Sequence, residues 1–418
     1  MVGTMLRYLT AGESHGRAMV ALVDGLPAGL AVEPSWINAD LVLRQGGYGR
    51  GGRQQIETDH VEFLAGFWRG VTTGAPVAML IPNRDHRIDS LDDLESPRPG
   101  HGDLVGALKY GSIRSVLERA SARETATRVA AGSLARQLLA ECGIDVLGGV
   151  VAIGGVTAPD APVMPVVRDP FADCSGNINR GEKEICGSKC KNNHIGSFGN
   201  ASKISEAASL ARLRQTRNRS ELYTLNPAAD AAMKAAIDAA REMGDTLGGV
   251  LEIRVTGLPF GLGTHTQWDR RLDGRIAAAV MAVQAIKGVE FGLGFESARR
   301  PGSQVHDAIL HDPTLVDGRH RGYWRPTNHA GGLEAGMTNS EPLVVRAAMK
   351  PIPTLRCGLP SVSMATGESV CAAYERSDVC AVPAAAIVLE AVVAFTVAEA
   401  LCEFTGGDTI EEMKKRIR

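Results

Sequence analysis

The longest apolar stretch of the chain, Pro383 to Phe404, places the firmest limit on how it folds. The stretch is rich in alanine and valine, and Glu390 and Glu399 interrupt it. Carboxylates at such central positions are costly in lipid, so we expect a buried helix rather than a membrane span. The chain has 418 residues, which is enough to bury a large core. Length alone allows two or three domains, or one large α/β or α+β unit.

Composition and charge exclude several functional classes. A formal net charge of −2 and a pI near 6.6 provide no overall attraction to nucleic acid or to a membrane surface. The eight cysteines lack the spacing of a disulfide scaffold, which favours a reducing cytosol. Residues 1–4 do not begin a signal peptide, because no basic region leads into an apolar one. These features indicate a cytoplasmic protein.

Hydrophobic patterning predicts a mixture of helices and strands. Helices are expected at 34–43, 112–143, 227–243, 270–288 and 383–404, and strands at 5–9, 18–23, 76–81, 146–156, 246–257 and 343–349. Along these strands, hydrophobic residues alternate with others and arginines occur on the strands. This pattern favours antiparallel pairing, and therefore an α+β protein. The glycines at 46–49 precede a basic segment instead of opening a helix, so a dinucleotide-binding fingerprint is absent.

A glycine-bracketed turn follows the first predicted strand and carries Ser14 and His15 side by side, within residues 12–16. Glycines let the backbone approach a ligand closely, and histidine is the side chain whose proton moves most easily near neutral pH. A turn histidine is more often structural than catalytic, so the turn alone is a weak signal. Its importance comes from the clusters that follow it.

Three arginines, Arg44, Arg50 and Arg53, are spaced by glycines in the loop 44–53. Arginine forks match phosphate and carboxylate geometry, and glycines let several backbone N–H groups approach one anion. Two interpretations are open: a loop that folds over a small polyanion, and an RNA-binding Arg/Gly segment. The second needs aromatic side chains interleaved with the basic ones, and only Tyr48 lies in the loop.

A second cluster, residues 98–103, combines Arg98, His101 and Asp103, and a proline stands on either side of Arg98. The prolines restrict the backbone and put His101 at a turn. Asp103 is near enough in sequence to orient or charge the imidazole. The alternative is a capping or surface histidine.

A third cluster lies in the segment 119–128. Arg119 and Arg123 are four residues apart, so on a continuous helix they share one face and repel unless an anion lies between them. Ser121 is placed to cap a helix or bind a phosphate oxygen near a helix start. A solvated basic face, paired with Glu118 and Glu124, is the alternative.

Together these clusters resemble the chorismate synthase family in its monofunctional, bacterial form. The resemblance runs in order through nearly the whole chain and includes residues 12–16, 44–53, 98–101, 119–125, 284–290, 331–334, 350–354 and 376–378. Two departures occur. Gly102 stands where the family usually has alanine, and the polar segment 171–219 fits the common bacterial pattern poorly.

The resemblance implies a β-α-β sandwich, in which antiparallel sheets enclose long helices. It implies one large domain over residues 1–418, with a polar insertion at about 171–219, and a homotetramer. The implied reaction is the 1,4-anti elimination of phosphate from 5-enolpyruvylshikimate 3-phosphate to give chorismate. Reduced FMN is required although nothing is oxidised overall. An external flavin reductase or reductant would supply it, with NADPH as a candidate source of reducing equivalents.

Residue by residue, the resemblance assigns the chemistry to His15, His101 and Asp378. His15 would protonate or hydrogen-bond the departing phosphate, His101 would stabilise the reduced flavin, and Asp378 would help to move the C6 proton. The implied substrate-binding residues are Ser14, Arg44, Arg50, Arg98, Ser121, Arg123 and Arg376. The implied cofactor-binding residues are Arg44, Arg50, Arg53, Arg119, Ala120, Ser121, Gln284, Ala285, Ala335, Lys350, Pro351, Ile352, Pro353, Thr354 and Arg376.

The polar segment 171–219 carries Cys174, Cys186, Cys190 and His194, which are soft ligands close together in sequence. Such side chains can bind zinc, but their spacing matches no common zinc module. We therefore expect a surface excursion with free thiols and no metal, and keep a zinc site as the alternative.

Overall fold

Two antiparallel β-sheets and the helices that pack on them make up most of the computed structural model, which describes residues 6–51, 58–157, 206–313, 321–375 and 378–417. Arg53 and Arg376 of the predicted site lie outside the described residues, as do the cysteines and histidine of the segment 171–205.

The described helices are α1 Pro34–Gln45, α2 Asp103–Tyr110, α3 Ile113–Ala120, α4 Thr125–Glu141, α5 Glu206–Arg219, α6 Asp230–Glu242, α7 Leu272–Met281, α8 Val382–Thr405 and α9 Ile410–Ile417. The described strands are β1 Arg7–Ala11, β2 Ala18–Asp24, β3 Glu62–Ala65, β4 Phe67–Trp68, β5 Val71–Thr72, β6 Val77–Pro82, β7 Asp145–Ile153, β8 Val156–Thr157, β9 Gly249–Thr256, β10 Ile286–Phe291, β11 Leu310–His311, β12 Tyr323–Trp324, β13 Leu333–Glu334, β14 Met337–Thr338, β15 Leu343–Met349, β16 Pro360–Val362 and β17 Ser369–Cys371.

Two larger sheets carry the architecture. The first has the strand order β1-β2-β6-β3 and the second has the order β10-β15-β9-β7-β8. Every neighbouring pair in both sheets is antiparallel, which confirms the pairing predicted from the sequence. In β2, Met19, Ala21 and Val23 are buried and alternate with more exposed residues, so one face of the first sheet packs on the core.

The apolar stretch is the buried helix expected from the sequence. By length and composition α8 is able to span a membrane, yet 89% of its most apolar window is buried inside the protein. It packs against β7 and β9 of the second sheet, while α4 packs on β1, β2 and β6 of the first. The two helices also contact each other. A Cβ at Gly132 would lie 2.3 Å from the Ala391 carbonyl oxygen, so their close approach requires glycine there.

The prediction of one continuous helix at 112–143 is wrong, because the helix is interrupted at Ser121. This residue is extended, with φ −60° and ψ 144°, and a short 3₁₀ turn joins it to α4. Its hydroxyl accepts a hydrogen bond from the Arg123 N–H, and such local bonds compete with a continuous helix. Arg119 and Arg123 therefore do not share one helical face.

The helix predicted at 270–288 is also shorter than expected. It ends at Met281, and β10 begins at Ile286 because that segment pairs with β15. Gln284 and Ala285 lie in the connection, where Ala285 has a left-handed φ of 67°. The connection is tied to the end of β15 by the Lys350 N–H, which donates to the Ala285 carbonyl at 2.9 Å.

The end of the polar segment 171–219 is not a surface excursion. Residues 206–219 form α5, which packs on β7 with Leu210 fully buried. Arg217 is buried as well, and its guanidinium donates to Glu390 of α8 at 2.7 Å. Low hydrophobicity predicted exposure wrongly here, because ion pairing with the core compensates for it.

Candidate functional site

The turn between β1 and β2 presents Ser14 and His15. Gly12 has a φ of 110°, and a Cβ there would lie 2.4 Å from the Ala18 carbonyl oxygen, so the turn requires glycine. The Ser14 and His15 N–H groups donate to the backbone carbonyl and to the carboxylate of Glu118, at 3.0 and 2.8 Å. Residues of α3 thus hold a turn that lies far from them in sequence.

His15 lies between two carboxylates. Its Nδ1 is 2.9 Å from Glu118 Oε1, and its Nε2 is 3.8 Å from Asp85 Oδ2. Burial raises the pKa of the Glu118 carboxyl, but hydrogen bonds from His15 and the nearby Arg114 charge outweigh burial and lower it. Because an ionised carboxylate only accepts, His15 Nδ1 carries the proton in this contact.

The interruption at Ser121 brings its hydroxyl to the turn. Ser121 Oγ donates to Ser14 Oγ at 3.1 Å. The two predicted substrate-binding serines and His15 thus belong to one hydrogen-bonded group. The sequence suggested that Ser121 caps a helix or binds phosphate near a helix start, and in the structure it forms the N-cap of the 3₁₀ turn before α4.

Arg44 and Arg123 converge on Asp59, a residue that the sequence analysis did not identify. Arg44 Nη1 and Arg123 Nη1 donate to its two oxygens at 3.2 and 2.5 Å. Arg44 also donates to Thr125 Oγ1 and the Ala122 carbonyl, each at 2.9 Å. Burial lowers the pKa of Arg44 to about 10, although Asp59 opposes this shift, so Arg44 stays charged at neutral pH.

Arg50 pairs with Asp378, which links the glycine-rich loop to the segment before α8. Arg50 Nη1 donates to Asp378 Oδ2 at 2.5 Å, and the Gly51 N–H donates to Oδ1 at 2.6 Å. The buried Nε of Arg50 finds no hydrogen-bond partner among the described residues. Because Arg44 is buried and Arg50 is held in this pair, the described part of the loop is not an extended RNA-binding segment.

A second histidine–carboxylate pair lies at the start of α2. His101 Nδ1 is 2.5 Å from Asp103 Oδ1, which confirms that Asp103 orients the imidazole. Arg98 donates to both carboxylate oxygens, at 2.7 and 3.1 Å. Burial opposes ionisation of Asp103, but the bonds from His101 and Arg98 hold its pKa well below the usual range.

The segment after β15 completes this second group. Arg98 Nη1 donates to Thr354 Oγ1 at 3.1 Å, and Lys350 Nζ donates to the Gly100 carbonyl. Since α2 packs on α3, the two carboxylates that contact these histidines, Asp103 and Glu118, lie on one helical hairpin.

Arg119 and Gln284, two further predicted cofactor residues, form a third group beside β1. Arg119 donates to the Gly12 and Thr10 carbonyls at 3.1 and 2.9 Å. Gln284 Nε2 donates to Glu124 at 3.2 Å, while its buried Oε1 has no partner among the described residues. Ala335 has a left-handed φ of 49° in the turn between β13 and β14.

Glu118 and Asp59 are the functional candidates that the sequence analysis missed. Glu118 lies four residues after Arg114, which is the spacing of an ion pair on a helix. The sequence pattern nevertheless indicated only a solvated face. No local pattern marks Asp59. Among the described residues, no group of three or more metal-ligating side chains is present.

The chain is similar to known proteins over nearly its whole length. A family profile described as "Chorismate synthase" matches residues 6–402. The curated chorismate synthase of Geobacter metallireducens is 49% identical over 98% of this chain and 97% of its own length. The curated chorismate synthase of Anaeromyxobacter dehalogenans is 48% identical over 99% of this chain and 97% of its own length. A solved structure titled "Crystal Structure of Chorismate Synthase" is 39% identical, with a TM-score of 0.71 over 99% of this chain and 96% of the other. The chain belongs to the chorismate synthase family.

Proposed function

We propose that this protein converts 5-enolpyruvylshikimate 3-phosphate into chorismate and phosphate by a 1,4-anti elimination. It thus acts as a lyase of the shikimate pathway in aromatic amino-acid biosynthesis. The observation that carries the proposal is the family match over nearly the whole chain. His15, His101 and Asp378 lie in the motifs that resemble the family. The geometry adds that both histidines are backed by buried carboxylates on one hairpin.

The charge of the site suits this substrate. It carries a phosphate and two carboxylates, and arginine is the side chain best suited to bind such groups in pairs of hydrogen bonds. Ser14, Ser121, Arg44 and Arg123 are connected by short contacts around the β1–β2 turn and Asp59. Arg50 pairs with Asp378 and is included with them. We assign substrate binding to this group, together with Arg98 and Arg376.

The reaction requires that one proton is donated to the leaving phosphate and that another is removed from C6 of the substrate. As the C3–O bond breaks, its electron pair leaves with the phosphate oxygen, and His15 Nε2 gives that oxygen a proton. Asp378 takes part in removing the proton from C6, so the products balance as chorismate and phosphate. A positioned acid or base of this kind contributes about 10²–10⁴-fold to rate.

Reduced FMN fits the residues of the second and third groups. A flavin with its phosphate offers the donors and acceptors that Arg50 Nε and Gln284 Oε1 lack among the described residues. The holding residues would be Arg44, Arg50, Arg53, Arg119, Ala120, Ser121, Gln284, Ala285, Ala335, Arg376 and Lys350 to Thr354. When bound, the reduced flavin supplies electron density that assists the loss of phosphate, and His101 would stabilise its charge.

The finer features of the family complete the proposal. The contacts of α4 and α8 with the two sheets support a β-α-β sandwich. We further propose a cytoplasmic homotetramer that obtains reduced flavin from an external reductase or reductant, with NADPH as a source of electrons.

Anaerobic turnover tests the proposal. Purified protein is mixed with reduced FMN and 5-enolpyruvylshikimate 3-phosphate, and chorismate is followed by absorbance. Chorismate and phosphate should appear in equal amounts while the flavin remains reduced. Tight RNA binding with a steep salt dependence, and no chorismate, would favour the rival function instead.

A further inference from the structure

One buried carboxylate holds both the backbone and the ring of His15. Glu118 Oε2 accepts from the His15 N–H at 2.8 Å, and Oε1 accepts from Nδ1 at 2.9 Å. The Glu118 side chain is only 1% exposed. With Nδ1 committed to this bond, Nε2 is the ring atom left to exchange a proton.

The charged groups around Glu118 are few. Arg114 Nη1 lies 3.5 Å from Glu118 Oε1 and reaches Glu375 with its other amino group at 3.2 Å. Asp85 lies on the far side of His15, where it also pairs with Arg87 at 3.0 Å. Among these groups, His15 therefore makes the shortest contacts with Glu118.

The pair His101–Asp103 differs in this respect. Arg98 donates to both oxygens of Asp103, at 2.7 and 3.1 Å, so a permanent cation already balances that carboxylate. The Arg98 guanidinium also lies 3.2 Å from His101 Nδ1, so His101 shares its carboxylate with an arginine. Of the two backing carboxylates, Glu118 is the one whose shortest contacts are made with a histidine alone.

We propose that Glu118 is a positioning residue for the elimination: it holds the backbone and Nδ1 of His15, and so fixes the ring with Nε2 free to deliver a proton to the leaving phosphate. The proposal rests on the proposed function, because that function defines the leaving group. Glu118 itself does not contact the reacting atoms.

The variant Glu118→Gln tests the charge while keeping the side-chain shape. We expect kcat to fall about 10–100-fold, because a lost orientation or charge at a reacting group costs up to about 10²-fold. KM should change less than threefold. The pH profile of kcat should also change, because the variant removes a negative charge beside the ring, and a merely structural role would not produce that change. The variant Glu118→Asp should recover part of the rate.

The matched control is Glu62→Gln. Glu62 faces His60 at 3.4 Å on the surface, with both side chains about half exposed, so its loss should leave kcat and the pH profile unchanged. A parental kcat and pH profile in Glu118→Gln would overturn the proposal. Inactive parent enzyme would instead count against the proposed function.

A measurement on the parent enzyme covers the case in which Glu118→Gln does not fold. In protein labelled with ¹⁵N-histidine, the signal of His15, assigned through His15→Gln, should show a hydrogen-bonded proton on Nδ1 at neutral pH. A His15 Nδ1 without a proton would overturn the proposal.

Discussion

Two groups of buried arginines in this protein differ in how well their surroundings stabilise positive charge. In the core group, Glu390 of α8 accepts from Arg136 at 2.9 Å and from Arg217 at 2.7 Å. Asp40 accepts a further bond from Arg136 at 2.7 Å. Burial alone lowers the pKa of Arg136, but Glu390 and Asp40 outweigh it and raise the pKa.

In the site group, which consists of Arg44, Arg50 and Arg123, burial outweighs the carboxylate that stabilises Arg44. Burial lowers the pKa of Arg44 to about 10, and Asp59 does not compensate, because Arg123 and Arg50 add further positive charge. The core group is therefore complete as it stands, whereas Arg44 gains when an anion binds near it. An arginine-rich sequence alone does not distinguish these two situations.

The largest expected effect separates rate from stability at the site. His15→Gln keeps a side chain that can hydrogen-bond Glu118 but removes the exchangeable ring proton. We expect kcat to fall about 10²–10⁴-fold, with FMN still bound and the free energy of unfolding close to that of the parent. Anaerobic turnover and flavin titration measure the two quantities. Parental turnover at saturating reduced FMN would remove His15 from the chemistry.

The core group should show the opposite behaviour. Glu390→Gln leaves Arg136 and Arg217 buried without their shared carboxylate, so the free energy of unfolding should drop by about 3–5 kcal/mol. The folded fraction should keep the parental kcat. Denaturant unfolding measures the loss. The control Glu403→Gln removes an exposed partner of Arg275 and should cost at most about 1 kcal/mol.

Two matched arginine variants, one from each group, separate an effect on substrate binding from an effect on folding. Arg44→Lys keeps the charge but loses the fork that reaches Thr125, Asp59 and the Ala122 carbonyl. We expect the KM for the substrate to rise about tenfold, which is 1.4 kcal/mol of binding. Arg136→Lys should weaken folding and leave KM unchanged. An equal rise of KM in both variants would show that the two groups are not functionally distinct.

The smallest effect is the dependence of stability on acid. The pKa values of Glu118, Asp103 and Glu390 are all lowered in the folded protein. Their contribution is therefore complete well above the unfolded values near 4, and is lost as pH falls below them. Between pH 7 and pH 4 we expect a loss of about 1–2 kcal/mol in the free energy of unfolding. In Glu390→Gln the loss should be smaller. A parental pH dependence in that variant would contradict the assignment.

Local patterns in the sequence predicted much of the fold but little of the site geometry. The helix α8 and the strand β15 follow directly from hydrophobic periodicity. The interruption at Ser121 did not, because alanines around it have high helix propensity and a single capping hydroxyl decides the outcome. The reverse turn at Ala285 likewise depends on pairing with β15.

The residues of the site were found by motif, whereas their partners were not. His15 and Glu118 are 103 residues apart, and Asp59 and Arg123 are 64 apart. Such contacts join segments that only the tertiary fold brings together, so no local spacing reveals them. The pair His101–Asp103 was predicted because both members lie in one turn.

Substrate protection against unfolding tests the difference between the two arginine groups most directly. Parent enzyme with oxidised FMN, which does not turn over, is unfolded in denaturant with increasing 5-enolpyruvylshikimate 3-phosphate. We expect stabilisation that grows with ligand concentration, is weakened in Arg44→Lys and is retained in Arg136→Lys. Sulfate at equal ionic strength should give less, because it lacks the carboxylates of the substrate. Substrate protection that is absent from the parent, or equally strong in Arg44→Lys, would show that the two arginine groups do not differ in this way.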